Sequence, residues 1–162
     1  MHANPEVLMA AYILALLIGV VAGLRAMTAP AAVSWAAHLG YLPLQDTPLA
    51  FLGFAYTPYI ITALAIGELI ADKLPQSPSR KVPLQFGTRI ISGGLCGAAI
   101  GVAGGFLAAG LAIGVAGAIA GTLGGAAARA SLARSLGRDT PAALIEDLVA
   151  VGGAIGIVVA LA

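Results

Sequence analysis

The residues of this chain that could do chemistry are few, and most of them sit where a charge is costly. Glu68 and Asp72 lie one helical turn apart near the end of an apolar stretch, a spacing that puts both carboxylates on one helix face. Arg89 follows Pro83 at a depth of about 9 Å along its helix, Glu146 and Asp147 follow Pro141 at a similar depth, and Arg25 closes the first apolar segment. All six belong to one layer near one end of their segments. A charge in hydrocarbon costs at least ~2.5–3.5 kcal/mol, so each is kept for a task or buried against a partner. Two chemistries fit the pattern. One is a salt-bridged network that locks helices together; the other is a water-accessible vestibule where a proton or small solute meets Glu68, Glu146 and Arg25. The mixed signs select neither anion nor cation. Glu6 and Asp46 read as solvated at the opposite surface.

Other chemistry has little support. Two histidines and one cysteine, far apart, do not make a zinc or haem site, so no metal and no cofactor is expected. Ser34, Ser92 and Ser131 have no histidine in a recognisable relation to them, and the glycine runs lack the Lys-Ser/Thr of a phosphate loop. No enzymatic activity is therefore expected. His38, three residues after Trp35, reads as interfacial, and Cys96 reads as a packing residue in an apolar helix. A net charge of +1 argues against nucleic acid as a partner.

The elements that must position these charges are membrane segments. Charged residues make up 9% of the chain, and mean hydropathy is +1.00. The stretches 7–24, 26–45, 47–67 and 90–128 carry no charge at all. A crossing takes about 20 residues for ~30 Å of hydrocarbon, so 90–128 divides in two near Gly104-Gly105 to Gly110. The chain then reads as an all-α, polytopic transmembrane bundle. Its six segments are near 7–24, 28–41, 49–71, 84–104, 106–128 and 140–161, in a single domain over 1–162. The second is short, ~21 Å of helix, and suits a re-entrant segment as well as a crossing. The polar linkers are 72–83, rich in Pro and Ser, and the basic 129–139. Met1 to Glu6 lacks the basic region of a secretory signal, so the first span is expected to be retained.

All eight Lys and Arg fall at the same ends of these segments: Arg25; Lys73, Arg80, Lys81 and Arg89; Arg129, Arg134 and Arg138. By the positive-inside rule that end is cytoplasmic, which places both termini outside. Tyr12, Trp35, Tyr41, Tyr56 and Tyr59 fall towards the outer half, as interface anchors do.

Two patterns concern packing. Sliding 71–94 on 129–152 matches Leu74 with Leu132, Ser77 with Ser135, Arg80 with Arg138, Pro83 with Pro141, and Gly94 with Gly152, and sets Arg89 opposite Asp147. This is either a repeat of helical hairpins or the ordinary preference for proline at helix starts. Gly93, Gly97, Gly101 and Gly105 recur every four residues, as do Gly117, Gly121 and Gly125, with Gly19/Gly23 and Gly152/Gly156 as shorter echoes. Such flat faces let helices approach closely within a protomer or across a homo-oligomer interface, or else line a narrow conduction path.

Gly23-Leu24-Arg25 leading to Pro30, Gly67-Glu68-Leu69-Ile70-Ala71-Asp72-Lys73-Leu74-Pro75 at a span end, Arg129, and Pro141 leading to Glu146 carry a resemblance. The chain resembles a family of small glycine-rich bacterial integral membrane proteins catalogued only as a domain of unknown function. The resemblance implies a bacterial inner-membrane protein with Arg25, Glu68, Arg129 and Glu146 as residues of interest, and implies no substrate. The function expected is that of a small transporter or channel for an ion or small solute, with the lipid bilayer as its surroundings. The alternative is a non-transporting scaffold or lipid-binding protein.

Overall fold

The computed structural model describes residues 5–73 and 82–162. Within them lie six α-helices, one 3-10 turn and no strand. The helices are α1 (Pro5–Leu24), α2 (Thr28–His38), α3 (Thr57–Ala71), α4 (Pro83–Ala103), α5 (Leu107–Leu136) and α6 (Asp139–Leu161), with the 3-10 turn at Ala50–Gly53 between α2 and α3. The fold is the all-α bundle expected. Among the described residues α1, α5 and α6 are each long and apolar enough to cross a membrane, and α3 is a shorter apolar helix.

The centre of the bundle is built by glycine. Helices α1, α4 and α5 pack on one another more extensively than any other elements. At their contacts backbone meets backbone. A methyl carbon on Gly93 would lie 2.6 Å from the Ala118 side chain, and one on Gly101 would lie 2.8 Å from the Phe106 carbonyl oxygen. On Gly19, Gly97, Gly114, Gly117 or Gly121 it would fall closer still to a facing main-chain oxygen. Gly125 is buried in the same helix. Close backbone approach gains dispersion contact and weak Cα–H···O bonds where lipid supplies no hydrophobic drive. These strips are filled by neighbouring helices, which leaves no conduction path along them.

Gly105 departs from the strip to which its spacing assigned it. It adopts φ +79° in the α4–α5 turn, a left-handed conformation that glycine takes without steric cost. Gly110, inside α5, takes its place in the packing against Gly97 and Gly101. Gly152 and Gly156 of α6 meet no neighbour, so the pattern does not extend to the last helix within one protomer.

Two boundaries also differ from expectation. The basic stretch 129–139 is helical as far as Leu136, because Ala and Leu continue the helix until Gly137 ends it at φ +69°. The 30-residue α5 is therefore about 45 Å long and outruns ~30 Å of hydrocarbon. The third segment is broken: the 3-10 turn and an extended Phe54 precede Thr57-Pro58, where proline sits in the first turn of α3.

The short α2 ends where Gly40 turns left-handed and the Tyr41 and Leu42 amides return to the Ala36 carbonyl. The chain after it is irregular but buried in protein: Leu42, Leu44 and Leu52 are buried, and Ser34 donates its hydroxyl to the Leu52 carbonyl. Non-helical backbone at membrane depth is tolerated on that condition. This loop reaches the far end of the bundle, where Asp46, Thr47 and Pro48 share a cleft with Val102, Gly105 and Leu107 of the α4–α5 turn. Helix α3 then returns to the charged end. The segment beginning at 28 thus runs the length of the bundle with the help of its loop.

The expected hairpin repeat is only partly visible. Pro83 opens α4 and Pro141 lies in the first turn of α6, but Leu74, Ser77, Arg80 and Lys81 lie outside the described residues. So does His2.

Candidate functional site

The site is organised around the turn from α1 to α2, residues 23–28. A helix end leaves carbonyls unpaired at its C-terminus and N–H groups unpaired at the next N-terminus, and here both sets are buried. Arg89 of α4, itself fully buried, donates from one guanidinium nitrogen to the Gly23 and Leu24 carbonyls at 2.7 and 2.6 Å. Ser92, one turn further along α4, donates to the Ala26 carbonyl. Thr122 of α5 donates to Ala118 at 2.8 Å and reaches the Gly23 carbonyl at 3.2 Å. From the other side, Glu68 of α3 accepts the Ala26 and Met27 amides, both at 2.8 Å, one on each carboxylate oxygen. A carboxylate against the N-terminus of α2 is also favoured by the helix dipole. Glu68 and Arg89 are themselves 3.7 Å apart.

The side chain of the same turn carries the second part of the site. Arg25 is fully buried and pairs with Asp72, at the end of α3, and with Asp147 of α6. Lys73 reaches Asp147 at 2.8 Å. One arginine therefore joins three helices, and the Lys73–Asp147 pair bridges α3 to α6 directly. Burying these ions is costly, and the mutual attraction offsets that cost only in part, because Arg25 Nε and Nη2 and both oxygens of Asp147 make no hydrogen bond and are held by ion pairing alone.

A third group lies further towards the charged end. Arg129 of α5 makes a two-pronged contact with Asp139, Nε to Oδ1 at 2.9 Å and a terminal nitrogen to Oδ2 at 2.6 Å, and lies 3.6 Å from Glu146. This pairing closes the α5–α6 hairpin across its own turn.

Of the candidate residues, Arg25, Glu68, Asp72, Arg89 and Asp147 meet in one cluster, and Arg129 and Glu146 in an adjoining one. Asp139 and Lys73 complete the two clusters, although their sequence context marked them only as linker charges. Ser92 and Thr122 were not singled out as site residues either. Their signal is positional: Ser92 shares a face with Arg89 by i, i+3 spacing, and Thr122 follows Gly121 on the packed glycine face. Trp35 is not a free interface anchor. It donates its indole N–H to Thr62 at 3.0 Å and packs edge-on against Tyr59, with ring centres 5.0 Å apart. His38 is exposed, with Nδ1 3.3 Å from the Gly53 carbonyl. Among the described residues no group of three or more His, Cys, Asp or Glu side chains is placed to hold a metal ion.

The carboxylates differ in access. The side chains of Glu68, Asp72 and Asp147 keep 14, 18 and 12% of their surface, while Glu146 keeps 6%. Water at the charged end can therefore reach Glu68 and Asp72 without any helix moving, whereas both carboxylate oxygens of Asp147 are sealed from solvent. No family profile matches the chain, and no curated protein or solved structure does either.

Proposed function

We propose that this chain is a small transporter of the bacterial inner membrane for an ion or small solute, with the ion-pair layer as its cytoplasmic gate and both termini outside. The observation that carries this reading is the unequal attachment of α3. Helices α1, α4 and α5 are locked by backbone contact, whereas α3 packs mainly on α2 and the 3-10 turn. Its cytoplasmic end is held to the rest by Glu68, Asp72 and Lys73. Protonating or competing for those carboxylates would release a helix that little else retains. The residual exposure of Glu68 and Asp72 gives a proton or cation the access such a step needs. Among the described residues three helices long and apolar enough to cross a bilayer support the membrane, and the positive-inside distribution supports the orientation.

A specific observation favours the second reading, a non-transporting scaffold or lipid-binding protein. Arg25 and Arg89 are both fully buried with acidic or carbonyl partners, as a purely structural network requires. The two readings separate in proteoliposomes on a solid-supported membrane, exposed to rapid jumps of protons, common ions and small metabolites. Transport gives a current that Glu68→Gln and Glu146→Gln abolish in folded protein. A scaffold gives silence throughout, with both variants only lowering thermal stability. Self-association is part of the proposal: Gly124, Gly152 and Gly156 are small-residue positions that no helix of the same chain covers.

A further inference from the structure

The α1–α2 turn holds Glu68 as a clamp holds a carboxylate. The two oxygens accept the consecutive Ala26 and Met27 amides, one each, at 2.8 Å. The 11-residue α2 adds the positive end of its dipole. Arg89, fully buried, turns Nη2 towards the same carboxylate from 3.7 Å, beyond hydrogen-bond distance. Two more buried donors flank the amides along the chain. Arg25 precedes them with an Nε that makes no hydrogen bond, and Thr28 follows with a hydroxyl in the same condition. A carboxylate tethered to α3 therefore satisfies only the middle two of the donors that residues 25–28 bury.

The charges divide unequally between the parts that the clamp joins. Among the described residues of the cluster, Arg25, Arg89 and Asp147 stay in place if α3 moves, and together carry one positive charge. Glu68, Asp72 and Lys73 leave with α3 and carry one negative charge. An open α3 strands that positive charge together with two buried amides, and both are costly to leave so. A monoanion with two oxygens, one for each amide, restores the charge and the hydrogen bonds at once.

We infer that the solute this protein carries is a small monocarboxylate, which binds in the place of Glu68 on the Ala26 and Met27 amides beside Arg89. Glu68 is then a tethered competitor: it fills the clamp while α3 is closed and yields it when α3 opens. This assignment rests on the transport reading for the opening of α3, and on the clamp alone for the ligand.

Glu68→Ala removes the competitor and leaves the clamp. Thermal melts of the purified protein would be recorded as acetate replaces chloride at constant sodium, with acetamide as the uncharged analogue. Acetate should stabilise Glu68→Ala saturably, with an affinity about tenfold above that of the wild type, and acetamide should do nothing. Glu68→Gln, which keeps one acceptor, should fall between the two. If Glu68→Ala does not fold, Glu68→Gln against the wild type makes the same comparison. No stabilisation as acetate replaces chloride, or an equal response of variants and wild type, would overturn the inference and leave the gate standing. The gate is read separately, from the distance between spin labels at Ile70 of α3 and Leu123 of α5, both exposed, on a Cys96→Ala background with Glu68 present. Acetate should add a longer population there. Tight binding to Glu68→Ala with that distance unmoved would overturn the gate and, with it, the carboxylate as cargo.

Discussion

Glu68 shows how a single side chain can serve two partners of different kinds. Its carboxylate closes the unpaired N–H groups at the start of α2 and also faces Arg89. Glu68→Ala leaves two buried amides open and should cost about 2–3 kcal/mol, whereas Glu68→Gln keeps one acceptor and should cost about half that. Equal losses in detergent unfolding titrations would contradict the capping role. Arg25 has a larger stake because two carboxylates converge on it. Arg25→Met should destabilise by about 3–5 kcal/mol, and adding Asp72→Asn should recover part of the loss, as expected when a stranded buried charge is removed. The charged layer was legible in the sequence because ions in apolar segments are conspicuous. That Glu68 and Arg89 bind main-chain atoms was not, since backbone groups exist at every position and leave no trace in side-chain pattern.

At the scale of elements, the glycine periodicity marked all three central helices, α1 by the single pair Gly19/Gly23, and the structure adds where it stops. Gly114 lies between two helices and meets the main chain of α4, whereas Gly152 meets nothing. Gly114→Ala should therefore destabilise by about 1–3 kcal/mol through overpacking, while Gly152→Ala should be neutral or stabilising by up to about 1 kcal/mol through helix propensity. Thermal melts of the two variants in the same detergent check the contrast. If Gly152 and Gly156 form an interface between copies, Gly152→Leu shifts sedimentation from oligomer to monomer without unfolding. Segment boundaries were less legible than segment existence. Hydropathy alone runs straight through Gly53 and Pro58, where the chain breaks, and it stops at Arg129, where the helix continues.

For the whole molecule the architecture is a backbone-packed core of α1, α4 and α5 with α2, α3 and α6 around it, joined at one end by ion pairs. The Asp46 loop and the α4–α5 turn share the opposite end. Cysteine labelling on a Cys96→Ala background should therefore find Asp46→Cys and Arg134→Cys, both exposed, on opposite membrane faces. Arg25 itself is unsuited to that experiment because it is fully buried. Labelling of both positions from one side would contradict the topology. The sequence leads one to expect an orientation because every Lys and Arg falls at one end of the segments, and the labelling decides it. The apolar groove that Ala65 and Leu69 of α3 and Ala154 and Val158 of α6 line was not legible there, because it depends on two helices that do not adjoin in sequence and on the packing each lacks.

The ion-pair latch on α3 is tested most directly by a distance. Spin labels at Ile70 on α3 and Leu123 on α5, both exposed, would be measured by double electron–electron resonance in lipid nanodiscs on the Cys96→Ala background. With the pairs intact the latch predicts a single narrow distribution, and with Asp72→Asn and Asp147→Asn together it predicts a second, longer population. A distribution unchanged by that double substitution would contradict the latch and leave the layer as a structural clamp.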